Sequence, residues 1–272
     1  MSQRNISEIN IVEANKCNIP KIIHQMWKDN NVPEHWLESP KEWKRLFPDF
    51  AHMFWTDVTM REFMVQHYNW FLPIYDGYKY PIQRSDSFRC FMLHFYGGIY
   101  SDLDIVPTSN FTYLFENTNA EVYLPMTQNI LSFTNCLMMS QKKARFWETT
   151  FKVMKERANK NYWLTHFQII FSTGPQMLTK SVEIYNQPIG LLPRNIISQN
   201  MTNPEIKDNT YTKALYGRSW HRWDSTIITG IYVNRNLIYK GLFMLLIYWI
   251  YLFKFINMCI FPSQNMDINL NI

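Results

Sequence analysis

Glycine is scarce in this chain, 8 residues in 272, and cysteine is scarcer, with four. Cys17, Cys90, Cys136 and Cys259 form no CxxC pair and no zinc-finger spacing. That argues against a disulfide-stapled scaffold and leaves reduced, mostly buried thiols as the expectation. No run of Lys and Arg alternates with aromatics, and the net charge of +5 is spread thinly, so nucleic acid is not an expected partner. A mildly basic surface suits anionic small molecules and anionic lipid headgroups equally. No repeat or low-complexity linker interrupts the chain. The first eighteen residues, MSQRNISEINIVEANKCN, are polar and lack the apolar core of a signal peptide.

What the chain has in quantity is apolar surface. Hydrophobic residues make up 47% and aromatics 17%, too much for a disordered chain and enough for one large, well-cored domain. One long apolar run stands out, GLFMLLIYWIYLFKFINMCIF (241–261), with Lys254 as its single charge. It approaches the roughly 20 residues that cross a bilayer, and its Tyr and Trp suit an interfacial belt. The competing reading is a buried amphipathic helix. If the run spans, Arg235 and Lys240 ahead of it place the preceding domain on the cytosolic side. Sequons at Asn5, Asn110 and Asn200 would then matter only in the opposite, lumenal arrangement. The expected division is a polar segment over 1–18, a globular domain over 19–236, a hydrophobic membrane-associated or transmembrane helix over 237–261, and a short polar tail over 262–272.

Periodicity then sets out the domain. KIIHQMW (21–27) and FAHMFWT (50–56) read as strands. PEHWLESPKEWKRLF (33–47) reads as two sets of helical turns interrupted by Pro40, and DVTMREFMVQHY (57–68) as a helix with Asp57 at its N-cap. In IQRSDSFRCFMLHFYGG (82–98), Phe88, Phe91, Met92 and Phe95 recur at helical spacing, and Gly97–Gly98 supply a left-handed C-cap. IYSDLDIV (99–106) alternates as a strand up to Pro107, and NCLMMS (135–140) is another strand, with a helix following to about residue 157. Strands alternating with helices give a layered α/β domain with a mixed, largely parallel sheet, whose ligands sit off the C-terminal strand ends.

Chemistry concentrates in three places. Asp102 and Asp104, at i and i+2 of a strand, share a face while Leu103 packs inward. Two adjacent carboxylates raise each other's pKa unless a cation sits between them, and hard oxygen ligands suit Mn²⁺ or Mg²⁺. A solvated strand end is the plainer reading of that pair taken alone. Asp86 and Arg89, at i and i+3, lie on one face of the helix that feeds this strand. They are an ordinary surface pair, or groups that hold sugar hydroxyls and a phosphate. GRSWHRWD (217–224) supplies His221, able to complete a metal site or donate to a diphosphate, with Trp220 beside it. STGP (172–175) and Asn135 offer hydroxyl and amide groups that are equally loop chemistry.

Taken together, IPKIIHQMW (19–27), YPIQRSDSFRCFMLHFYGGIYSDLDI (80–105), STGP and GRSWHRWD follow the order of one family. Over residues 19–224 the sequence resembles the DxD sugar-binding glycosyltransferases of family 32. Within them it is most similar to the group of fungal mannosyltransferases that make mannosyl-inositol-phosphoceramide or initiate outer mannan chains. The glucosyltransferase domain of large clostridial toxins is a more distant likeness. The resemblance implies a GT-A fold over 19–236, a nucleotide-sugar donor, most closely GDP-mannose, and retention of anomeric configuration. It implies a lipid or glycan acceptor, an endomembrane setting, and leaves a regulatory partner subunit open. By position, Asp104 would be the more direct Mn²⁺ ligand, with Asp102 nearer ribose and sugar. Asp86 and Arg89 would grip the sugar and its phosphate. Trp27 would lie next to the base, and Trp220 and His221 would close over the diphosphate. The polar first eighteen residues have no likeness to the long N-terminal anchor of the fungal members, which weighs against simple Golgi-lumen residence. A non-catalytic membrane-associated module that binds a sugar nucleotide or glycolipid, and a nucleotide-sugar hydrolase, are the alternatives.

Overall fold

The computed structural model describes residues 19–116, 120–126, 132–193, 195–197 and 210–215, together with isolated positions between 224 and 252. The chain divides into two compact units, Met1–Trp220 and His221–Ile272. In the first, β1 (Ile22–Met26) is followed by α1 (Glu38–Leu46), β2 (Ala51–Trp55), α2 (Asp57–His67), α3 (Leu72–Gly77) and α4 (Pro81–Tyr96). Next come β3 (Gly98–Ser101), β4 (Ile105–Pro107), α5 (Tyr113–Glu116), β5 (Val122–Pro125) and β6 (Leu137–Ser140). Helices α6 (Phe146–Ala158), α7 (Thr165–Ser172) and α8 (Pro175–Ile184) lead to β7 (Gly190–Leu192) and β8 (Thr212–Ala214).

Six strands form one sheet in the order β2-β1-β3-β6-β5-β7, and β4 pairs with β8 in a separate two-stranded sheet. The pairs β1–β2, β1–β3 and β5–β7 are parallel, while β3–β6 and β5–β6 are antiparallel. This is the mixed, mostly parallel α/β sheet expected from the alternation of strands and helices.

The pleat sorts the strand residues into two cores. Ile23, Ile99, Leu137 and Met139 join Trp43 and Phe47 at the end of α1 on one face. Tyr100, Met138, Val122 and Leu124 join Phe88 and Phe91 of α4, Trp147 and Phe151 of α6 and Leu178 of α8 on the other. Phe91 and Phe151 stack face to face with centroids 4.1 Å apart. Each such fully buried side chain contributes about 1.5–3 kcal/mol. Helix α4 is buried along most of its length, Gln83 through Leu93 almost without break, so its polar side chains must find partners inside the protein.

Three local expectations change. The break in 33–47 falls at Leu37, between a short turn at Glu34–Trp36 and α1. Pro40 sits in the first turn of α1, where its missing N–H has no intrahelical partner to lose. The N-cap of α2 is Thr56, not Asp57, because Thr56 and Thr59 form a reciprocal capping box. Most consequentially, IYSDLDIV is two strands. The Asp102 carbonyl accepts from Ile105 N at 3.1 Å, so the two aspartates lie on a tight turn between β3 and β4.

Among the described residues no helix is long and apolar enough to cross a membrane, so the expected C-terminal hydrophobic helix is not supported as a span. The described positions at 243–246 and 248–250 are helical and carry exposed apolar side chains.

Candidate active site

The junction between α4 and β3 orients the site. Gly97 (φ +69°, ψ −159°) and Gly98 (φ +95°) take backbone conformations that only glycine adopts without strain. A Cβ on Gly98 would lie 2.5 Å from the Ile22 carbonyl, and one on Gly97 would lie 2.7 Å from Lys142 N. The turn is held from beside it. His24 Nε2 lies 3.0 Å from the Gly97 carbonyl, and Trp55 Nε1 donates to His24 Nδ1 at 3.2 Å. That fixes the tautomer, with Nε2–H donating, and burial keeps the ring neutral by lowering its pKa to about 4.

Because α4 enters β3 directly, its N-terminal half lies toward the C-terminal end of β3. There Asp86 and Arg89 meet Asp102. Arg89 Nη2 lies 3.0 Å from Asp86 Oδ1, and Nη1 lies 3.3 Å from Asp102 Oδ1. Arg89 Nη1 also donates to the Asn135 carbonyl at 2.7 Å, and its guanidinium stacks on the Tyr100 ring, 4.6 Å from the centroid. Asn135 Nδ2 donates to Asp86 Oδ1 at 3.0 Å, and Thr173 Oγ1 to Asp86 Oδ2 at 3.4 Å. Tyr100 donates its hydroxyl to Asp102. So the structure brings together Asp86, Arg89, Asp102, Asn135 and the threonine of STGP. Ser172 supports the same helix from outside, accepting from Gln83 Nε2 at 2.7 Å.

The charges do not balance. Asp86 is 5% exposed, and burial, only partly offset by Arg89, pushes its carboxyl up to about 6. Asp102 is likewise raised by burial, with Arg89 and the Tyr100 hydroxyl acting against the shift. Asp104 is pushed up to about 7 by burial and by the charge of Asp102. Among the described residues its carboxylate has no side-chain hydrogen bond or ion pair. Burial works against the charge of Arg89, but Tyr100, Asp102 and Asp86 together hold its pKa above the ordinary value. Its Nε is buried without a hydrogen-bond partner among the described residues. Three carboxylates and one guanidinium, with a donor atom left over, can bind a cation and an anion side by side.

The chemistry of this oxygen set fits a hard divalent cation. Asp104 is poised to charge when a cation arrives, and Asp102 lies close enough to raise its pKa. Among the described residues no three His, Cys, Asp or Glu side chains cluster as a complete metal site. Trp27, just past β1 at the same sheet edge, packs edge-on to Trp36 at 4.9 Å, and its Nε1 is buried without a hydrogen-bond partner among the described residues. Trp220 and His221 lie outside the described residues. Leu215 N donates to the Asp104 carbonyl at 2.7 Å. Tyr100 escaped the sequence reading, although its place two residues before Asp102 on the same strand face was the available signal.

A mixed α/β sheet with this carboxylate turn at its C-terminal edge is a GT-A-like fold, and the chain belongs to the DxD glycosyltransferases. The family model described as "Glycosyltransferase sugar-binding region containing DXD motif" matches residues 33–124. Among its relatives is inositol phosphoceramide mannosyltransferase 2 of Schizosaccharomyces pombe, 31% identical over 248 residues, covering 88% of this chain and 68% of that protein. Mannosyl phosphorylinositol ceramide synthase SUR1 of Saccharomyces cerevisiae is 31% identical over 221 residues, covering 78% of this chain and 54% of that protein. The chain thus spans between about half and two thirds of the length of these relatives. Among solved structures, PaToxG glycosyltransferase superimposes with a TM-score of 0.50 at 20% identity, covering 63% of this chain and 72% of that one, a likeness of fold.

Proposed function

We propose that this chain is a retaining, metal-dependent hexosyltransferase that moves mannose from GDP-mannose onto a lipid-linked acceptor of the inositol-phosphoceramide kind. The observation that carries the reading is the Asp86–Arg89–Asp102 network, with its carboxylate turn and an Arg89 Nε that has no partner among the described residues, at the C-terminal edge of the parallel strands. The names of the fungal relatives supply mannose and the lipid acceptor. Asp104 and Asp102 would hold Mn²⁺ or Mg²⁺, with His221 the further ligand proposed from the sequence. That ion would offset charge on the departing nucleoside diphosphate.

The protein groups divide the remaining work. Asp86, fixed by Asn135, Thr173 and Arg89, is placed to accept sugar hydroxyls. Arg89 presents its free Nε–H toward a phosphate oxygen as the glycosyl–phosphate bond breaks. Trp27 offers an aromatic face and an indole N–H to the base, and Trp220 would cover the diphosphate. Asp86 and Asp102 are engaged with Arg89, Asn135, Thr173 and Tyr100, and Asp104 is assigned to the cation, so among the described residues of the site no carboxylate is left to attack the sugar. A front-face substitution follows, in which the leaving phosphate oxygen takes the acceptor's proton and the glycosidic bond forms on the face the phosphate leaves. A covalent glycosyl-enzyme trapped on any carboxylate would overturn this mechanism.

The test is to mix purified protein with Mn²⁺ and a panel of nucleotide sugars, using lipid extracts and free glycans as acceptors. Transfer from GDP-mannose to lipid is the expected result. Arg89→Lys, which keeps the charge and loses the fork, should lower that rate by about 10²-fold or more. No donor binding and no turnover with any nucleotide sugar would sink the proposal.

A further inference from the structure

The loop between α6 and α7 carries the most anomalous side chain among the described residues. Trp163 is 100% exposed, although the loop around it is firmly built. Gln168 ties both of its arms, donating to the Lys160 carbonyl at 3.1 Å and accepting from Tyr162 N at 2.8 Å. Tyr162 stacks on Phe171 with centroids 5.3 Å apart. Arg157 donates to the Phe171 carbonyl at 2.7 Å and anchors the end of α7 to α6. The neighbouring aromatic is used for packing, while Trp163 is held out into solvent with Phe167, 37% exposed, one turn into α7. The end of α6 and the loop that follows it, residues 152–160, carry exposed Lys152, Lys155 and Lys160 against exposed Glu156. A firmly presented Trp in a loop preceded by a lysine-bearing helix end matches the chemistry of an anionic bilayer interface, where the indole sits at headgroup level and the lysines meet lipid phosphates.

Its position in the fold gives that contact a purpose. Tyr80, at the N-terminus of α4, has its hydroxyl 3.1 Å from Thr165 Oγ1 at the start of α7. Further along, Asp86 meets Thr173 just past the end of α7. The N-terminal end of α4 points away from Gly97, so it lies beyond Asp86 on the active-site side of the sheet. Asp86 lies six positions beyond the N-cap Tyr80, about 9 Å along the axis at 1.5 Å per residue. From this we infer that the 159–167 loop is a membrane-docking surface. It seats Trp163 and Phe167 in an anionic leaflet and turns the Asp86–Arg89–Asp102 site toward headgroups standing out of it. This rests on the lipid-acceptor reading for its purpose but not for its chemistry.

The experiment uses the full chain with vesicles of phosphatidylcholine alone or mixed with phosphatidylinositol, followed by flotation and by quenching with brominated phosphatidylcholine. Binding should favour the anionic vesicles. Replacing both Lys155→Gln and Lys160→Gln should weaken it by about 30-fold, taking roughly a fivefold contribution from each surface lysine. Trp163→Phe should remove a component of the brominated-lipid quenching, and Trp163→Ala should slow transfer onto vesicle-embedded acceptor while leaving transfer onto soluble glycans unchanged. Unaltered quenching in Trp163→Phe overturns the inference, as does equal binding to neutral and anionic vesicles. So does a self-association, lost in Trp163→Ala, that occupies the same surface. Insertion of Trp163 without any transfer to lipid would uphold the docking surface and count against the lipid acceptor. Transfer to lipid with Trp163 outside the bilayer would do the reverse.

Discussion

The two ends of the α4–β3 pair are built on opposite principles. At the glycine end the buried side chains of His24 and Trp55 are neutral and matched, with His24 donating to Gly97 and accepting from Trp55. At the aspartate end one buried and two half-buried carboxylates face one guanidinium, and the pKa values of Asp86, Asp102 and Asp104 are all raised. One end spends no free energy on charge and fixes the geometry, while the other stores unfavourable charge where ligands enter. A single buried helix connects them, so positional accuracy at the neutral end is transmitted to the charged one.

The sharpest way to separate the two ends is Asp104→Asn. It should cut transfer by about 10³-fold, as the loss of a group that acts on developing charge does, with donor turnover in Mn²⁺ as the measurement. The same variant should melt at a higher temperature than the parent above pH 7, because a carboxyl with a raised pKa destabilises the fold once ionised. A lower melting temperature would show that Asp104 is structurally matched after all. Gly98→Ala attacks the other end and should cost roughly 3 kcal/mol or more of stability, from a positive φ and a contact with the Ile22 carbonyl. Denaturant titration would measure it.

Acid should strain the neutral end specifically. The folded-state pKa of His24 lies at about 4, below its unfolded value of 6.5, so the native state binds fewer protons over that interval. Stability is therefore fully present above pH 6.5 and falls as pH drops toward 4, by roughly 3 kcal/mol from this residue alone. His24→Gln should flatten the pH dependence of the unfolding midpoint, and an unchanged slope would refute the assignment. The mildest effect is expected for Asn135→Ala, which removes one hydrogen bond to the Asp86 carboxylate. It should raise the KM for the sugar nucleotide about tenfold with a smaller change in kcat.

Much of this comparison was legible in the residues. The 3.6-residue spacing of Phe88, Phe91, Met92 and Phe95 marked α4, and paired glycines in a glycine-poor chain marked its end. The helix and the glycines together pointed to Asp86 and Arg89 as neighbours of Asp102. The turn at Asp102–Ile105 was not legible, because the apolar–polar alternation runs straight through it. What breaks the strand is tertiary: Ser101 pairs with Leu137 of β6, while Ile105 pairs with Ala214 of β8. Tyr100 looked like a strand aromatic, and only the path of Arg89 across its ring gives it a further role. Thr56 lost the N-cap to Asp57 in the sequence because both are good caps, and only the reciprocal bond with Thr59 decides between them.

The pairing of β4 with β8, and of Asp104 with Leu215, also bears on the order in which the protein is made. Residues 105–107 close against partners more than a hundred positions later, a contact with a large loop-closure cost. A ribosome releases the carboxylate turn long before it releases the segment that fixes it. The Asp86–Arg89 helix can therefore pack early against β1 and β3. The turn that would receive the sugar nucleotide is completed only as residues 212–215 arrive, so binding competence becomes a late event of synthesis.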